Sequence, residues 1–160
     1  MGNVKIENLL INFKTLEKFK RFREYGNQEL TMMEDLQNKI IENNSKSPFY
    51  GIYIGDNLIA RMSLYEVSKK YDFYFEPSQD YLTLWKLEVL PDYQGKGYGK
   101  ALVDYAKSFH LPIKTSPRIN SHDFWEKMNF IKPHYEMERD LGENPLLWLP
   151  EGVKEKDTKQ

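Results

Sequence analysis

Leu82-Thr-Leu-Trp-Lys-Leu-Glu-Val-Leu-Pro-Asp-Tyr-Gln-Gly-Lys-Gly-Tyr-Gly-Lys-Ala-Leu-Val103 is the stretch from which the fold can be read. Tyr81 to Leu90 is rich in Leu, Trp and Val and predicts a strand. Pro91-Asp-Tyr breaks it, and three glycines then alternate at Gly95, Gly97 and Gly99. A helix follows, with Leu102, Tyr105, Ala106 and Phe109 expected on its buried side. Without Cβ atoms the backbone at the glycines can turn sharply and let a ligand approach. The first N–H groups of a helix lack acceptors and carry the positive end of its dipole, so this turn suits phosphate. Lys96 and Lys100 add charge beside it. A nucleotide loop of the Walker type would need Gly at position 100, as would the dinucleotide fingerprint; Lys100 stands there, which demotes ATP, GTP and NAD.

Upstream of this stretch, residues 3–10 predict a short strand. Phe13, Leu16, Phe19 and Phe22 then recur every three positions, predicting a helix from Phe13 to Tyr25 that Gly26-Asn27 ends. A second helix is expected from Glu29 to about Asn43, with Met33, Leu36 and Ile40 on one side. Tyr50–Ile54 and Leu58–Tyr65, joined by Gly55-Asp56-Asn57, predict a β-hairpin. Lys69 to Gln79 reads as an irregular excursion. Downstream, Pro112–Thr115 predicts a strand, Asn120–Met128 a helix and Phe130–Arg139 a strand. Pro145–Pro150 is apolar and suits a closing strand or a subunit contact. This order implies a mixed α/β sheet in a single domain over residues 1–150, with 151–160 a charged, flexible tail.

The chain has 160 residues, enough for one sizeable core, and 11 Tyr, 9 Phe and 3 Trp to pack it. Its 23 basic and 24 acidic side chains give a net charge of −1, so no global field points to nucleic acid or an anionic membrane. Cysteine is absent, which excludes disulfides, cysteine nucleophiles and thiolate metal sites. His110, His122 and His134 are spaced by twelve and fit no metal pattern. The opening residues carry no signal-peptide run, and nowhere do 18 consecutive apolar residues occur; a soluble, cytoplasmic protein is expected.

Gln94-Gly95-Lys96-Gly97-Tyr98-Gly99 fits the signature Gln/Arg-x-x-Gly-x-Gly/Ala. It resembles the pyrophosphate turn of the GCN5-related N-acetyltransferase (GNAT) family. Leu87–Pro91 is similar to that family's approach strand and Gly97–His110 to its cofactor helix. Asn120, with Phe124-Trp-Glu-Lys-Met-Asn-Phe130, resembles its later Asn…Phe-Tyr-Glu-Lys-Leu-Gly-Phe segment. The likeness covers about residues 82–131. It implies a mostly antiparallel sheet splayed at the cofactor strands and flanked by helices. It also implies acetyl-CoA as co-substrate, with no metal, and transfer of its acetyl group to a primary amine by direct attack in a ternary complex.

By that resemblance, main-chain groups of Leu87 and Val89 meet the pantetheine arm, where a backbone donor can stabilise developing charge. Gln94, Gly95, Lys96, Gly97, Tyr98, Gly99 and Lys100 hold the pyrophosphate. Asn120 hydrogen-bonds near the pantetheine, and Phe124 packs along it. An amine of pKa near 10.4 is neutral in only about 1 molecule in 2,000 at pH 7, so a proton acceptor is needed. Glu88 is the candidate base; its other reading is a salt-bridged or surface-facing strand residue. Trp125 stands where the family often has an acidic Tyr, and an indole cannot donate that proton. Tyr135 is the replacement candidate, and a thiolate of pKa near 8.5 can also leave unaided.

Two other functions compete with the enzyme. One is a non-catalytic CoA-binding regulatory module acting through a protein partner. The other is an interaction domain using the basic face from Lys14 to Arg23. The acceptor amine is not named by the sequence; Tyr71, Phe73, Tyr74, Phe75 and Tyr81 either line an apolar acceptor cleft or pack the core, while Glu76 and Asp80 could attract a cation. The resemblance implies a homodimer, and the near-neutral charge leads to the expectation of no nucleic-acid or membrane partner.

Overall fold

The structure, a computed structural model, describes residues 4–22, 31–42, 46–117 and 121–156. Its main sheet runs β1 (Glu7–Asn8), β2 (Phe49–Ile54), β3 (Asn57–Val67), β5 (Tyr81–Val89), β6 (Ile113–Thr115), β7 (Leu146–Trp148) in that spatial order. A second, two-stranded sheet pairs β4 (Phe75–Glu76) with β8 (Lys154–Glu155). The pairs β1/β2, β2/β3, β6/β7 and β4/β8 are antiparallel, and β5/β6 is parallel. This is the mixed, mostly antiparallel α/β fold expected from the sequence. The chain divides into two compact units, Met1–Ser63 with Lys86–Leu102, and Leu64–Trp85 with Val103–Gln160.

In the first unit, Asn12 begins α1 (Phe13–Phe19) by accepting the Thr15 N–H on its side chain at 2.9 Å. The three-residue repeat overstated this helix. Phe13, its first residue, is 70% exposed, because a period of three drifts off the 3.6-residue turn. Phe22 is buried beyond the helix end, in a turn closed by its N–H to the Phe19 carbonyl at 3.0 Å. α2 (Met32–Glu42) starts at Thr31, whose hydroxyl accepts the Glu34 N–H at 3.1 Å and donates to the Glu34 carboxylate at 3.0 Å, a close relative of the capping box. The boundaries expected at Tyr25, Gly26-Asn27, Glu29 and Asn43 lie outside the described residues. Phe19, Met32, Leu36 and Phe49 form the fully buried centre of this unit's core, with Phe19 edge-on to Phe49 at 5.5 Å.

The hairpin forms as expected, turning at Gly55-Asp56 with Gly55 at φ 60°. The opening strand is shorter than expected, only Glu7–Asn8. Three residues of the expected basic face are engaged with their own chain: Lys20 pairs with Glu17 at 2.8 Å, Lys18 lies 4.3 Å over the Tyr53 ring, and Arg21 donates to Asn57 at 2.9 Å.

In the second unit, carboxylates organise the Lys69–Gln79 excursion. Asp72 accepts the N–H groups of Tyr74, Phe75 and Gln79, and Asp80 accepts that of Lys69 at 2.7 Å. Tyr74, Phe75 and Tyr81 are core residues, whereas Tyr71 and Phe73 are exposed. α3 (Tyr98–Lys107), which begins in the first unit and continues into the second from Val103, buries Leu102, Val103 and Ala106 completely. Phe109, expected inside, is exposed and packs edge-on to Tyr105 at 5.5 Å.

Phe130–Arg139 is not a strand. Ile131 alone bridges to Leu147, Pro133 interrupts the ladder because it has no N–H, and α5 (Met137–Asp140) follows. The strand of this region is β7, within the apolar Pro145–Pro150 segment. Asp140 sets the local structure. It accepts from the Tyr74 hydroxyl at 2.9 Å, from Arg139 at 2.9 and 3.1 Å, and from the Glu136 N–H at 2.9 Å. Burial alone would raise its carboxyl pKa; the Arg139, Glu136 and Tyr74 hydrogen bonds outweigh that and hold it below the ordinary value. Burial and the same bond push the Tyr74 phenol up. In the segment expected as a tail, Lys154–Glu155 form β8, and residues 157–160 lie outside the described residues.

Candidate active site

In the first unit, β5 delivers Leu87, Glu88 and Val89 to a single 3₁₀ turn, Pro91–Tyr93, which leads into Gln94 and the glycine run. Gly95 and Gly97 sit at φ 75° and 89°, the left-handed region that glycine enters without strain. A Cβ at Gly95 would meet nothing within 4 Å, so backbone conformation rather than space requires glycine there. The Gly97 carbonyl accepts the Ala101 N–H at 3.0 Å, the first bond of α3. The amides that open a helix after such a residue have no intrahelical acceptor. No acidic side chain lies in the first turn of α3 to oppose its dipole. Two braces hold the turn. Gln94 Nε2 donates to the Val89 carbonyl at 3.0 Å, tying the loop to the strand end, and Tyr93 stands edge-on to Tyr98 with Lys96 5.8 Å over its ring. Lys96 and Lys100 are exposed beside these amides. Backbone donors, a positive helix end, two lysines and no carboxylate in that first helical turn form a donor set that fits a pyrophosphate.

Glu88 is the salt-bridged residue that its second reading described. Its Oε1 accepts from Arg61 Nη2 at 2.9 Å; the Arg61 side chain is 0% exposed and that of Glu88 is 18% exposed. The guanidinium lies 4.7 and 4.5 Å from the rings of Phe19 and Phe22. Arg61 was missed from the sequence. Its signal was a lone charge inside Leu58-Ile-Ala-Arg-Met-Ser-Leu-Tyr65, which is buried from Leu58 to Leu64.

In the second unit, the register of β5 with β6 covers Leu82–Leu84 opposite Ile113–Thr115. The Thr115 hydroxyl donates to the Leu84 carbonyl at 2.8 Å, and β5 runs on beyond this point. In α4 (His122–Lys127), Phe124 is half-buried and edge-on to Trp125 at 5.0 Å. Trp125 is core, packed on Phe130, and its indole N–H donates to the Ser121 hydroxyl at 3.1 Å. Tyr135 is 45% exposed; its hydroxyl accepts the Gly142 N–H at 3.0 Å. Asn120 lies outside the described residues. Among the described residues no group of three His, Cys, Asp or Glu could hold a metal, and no helix is long and apolar enough to cross a membrane.

The chain belongs to the acetyltransferase (GNAT) family, whose profile matches residues 12–130. It is an acetyl-CoA-dependent N-acetyltransferase. It is 86% identical to an uncharacterised N-acetyltransferase of Oceanobacillus iheyensis over 99% of both chains. The crystal structure of the Bacillus subtilis N-acetyltransferase YlbP in complex with coenzyme A matches it at 64% identity and a TM-score of 0.79, over 92% of this chain and 97% of that one. A Thermoplasma acidophilum N-acetyltransferase, PaiA, in complex with coenzyme A shares the fold at 20% identity and a TM-score of 0.63, over 97% of this chain and 100% of that one. Among the functions the sequence left open, the family and these relatives support the enzyme.

Proposed function

We propose that the protein acetylates a primary amine by direct attack within a ternary complex, with Glu88 as the proton acceptor. The observation that carries this is the Glu88 carboxylate, fixed at 2.9 Å from Arg61 and one residue before Val89, where the chain leaves β5 for the glycine turn. Acetyl-CoA supplies the acetyl group as a thioester. The amides from Gly95 to Lys100 take the pyrophosphate, with Lys96 and Lys100 adding charge. Because the Gln94 side chain is bonded to Val89, Gln94 contributes through its backbone. Main-chain groups of Leu87 and Val89 meet the pantetheine arm, as do Asn120 and Phe124.

The acceptor nitrogen forms the new C–N bond and the C–S bond breaks. The ammonium proton passes to Glu88, and the departing sulfur takes a proton from Tyr135. A hydroxyl that accepts from Gly142 keeps its own proton to donate. Two copies assemble as a homodimer, which sedimentation of the purified chain reads directly.

The test is a screen of amines, polyamines, amino acids and peptides that follows thiol release by the wild type and two variants. Glu88→Gln is expected to lower kcat by about 10²–10⁴ while leaving the acetyl-CoA Kd unchanged. Tyr135→Phe should lose less, because a thiol of pKa near 8.5 leaves without full protonation. Wild-type turnover by Glu88→Gln removes the base.

A further inference from the structure

The geometry points to Arg61 as a positioning residue for Glu88: a buried guanidinium, clamped by α1, that fixes the carboxylate where the acceptor is deprotonated. This rests on the assignment of Glu88 as base. Arg61 sits in a run where Leu58, Ile59, Ala60, Met62 and Leu64 are all buried, and it is itself 0% exposed. An apolar side chain would fill that space without the cost of desolvating a charge, so packing alone does not account for an arginine. The rings of Phe19 and Phe22 lie 4.7 and 4.5 Å from the guanidinium carbon, holding a planar cation on aromatic faces.

The donor Nη2 therefore has a fixed direction, and the group it meets is the Glu88 Oε1 at 2.9 Å. Glu88 is the more exposed partner of the pair. A general base must be held within about 0.5 Å of its working position by neighbours that are themselves locked. Arg61 supplies that lock from the core side, and it ties the carboxylate to α1 through Phe19.

The experiment is a double-mutant cycle on kcat, with KM for acetyl-CoA and thermal midpoints recorded for every variant. Arg61→Met should lower kcat tenfold or more with KM for acetyl-CoA within about twofold of wild type. In the Glu88→Gln background the same substitution should change kcat by less than about threefold, since no base remains to be positioned. Arg61→Lys keeps a cation but not the planar fork, and should recover part of the lost kcat in the Glu88 background only. It also carries the cycle if the Met variant does not fold. Equal losses of kcat in both backgrounds would overturn the proposal and leave Arg61 a scaffold residue. So would wild-type kcat in a folded Arg61 variant while Glu88→Gln is crippled. Wild-type kcat in Glu88→Gln is a different failure, because it removes the base assignment itself.

Discussion

Gly51 shows how a single hydrogen in place of a side chain sets a packing distance. A Cβ there would stand 2.6 Å from the Leu58 side chain and 2.9 Å from the Ala60 carbonyl, and the second of these is backbone that cannot swing aside. Gly51→Ala is expected to destabilise the protein by about 1–3 kcal/mol, read as a lower urea midpoint at unchanged m-value. A midpoint equal to wild type would mean that the hairpin gives way freely. The glycines of the cofactor turn were legible in the sequence because their spacing is itself a motif. Gly51 and Arg61 were not. Gly51 is fixed by side-chain and backbone atoms of the strand that folds back across it in the hairpin. Arg61 is fixed by Phe19, Phe22 and Glu88, which lie far from it in the chain.

Among elements, the hairpin, β5 and α3 could be read from the sequence because turn residues and period bound them on both sides. Phe130–Arg139 could not. A strand was expected there, but Pro133 and the side chains gathered on Asp140 dictate a bridge followed by a short helix. Asp140 is 2% exposed and takes hydrogen bonds from Tyr74, Arg139 and the Glu136 amide. Asp140→Asn is expected to cost about 2–4 kcal/mol at pH 7. The folded carboxyl lies below its unfolded value of about 3.9, so its contribution is complete above that value and is lost as pH falls through the folded one. The stability gap between wild type and variant should therefore hold from pH 7 to 5 and narrow below about pH 4. A gap that persists undiminished at pH 2 would mean that the Asp140 charge is not what stabilises the fold here.

For the whole molecule, a net charge of −1 gives little long-range attraction for a polyanion, so cofactor affinity rests on the local donors at α3. A ligand that binds only the native state at about 100 times its Kd stabilises it by about 2.7 kcal/mol, or about 5–10 °C in Tm for a chain of this size. Acetyl-CoA should produce that shift in a thermal melt. Family membership was legible from two short segments, the glycine turn and Asn120–Phe130. The two-unit division was not, because it runs through the middle of β3 and β5.

Calorimetric titration of acetyl-CoA into the wild type and a Gly97→Glu variant reads whether the glycine turn holds the pyrophosphate. Glutamate would place a side chain at φ 89° and a negative charge among the amides assigned to the pyrophosphate. Saturable binding to the wild type and none to the variant is expected, with both showing the same circular dichroism. Equal affinity in a folded variant would place the cofactor elsewhere, and no binding by the wild type would contradict the assignment altogether.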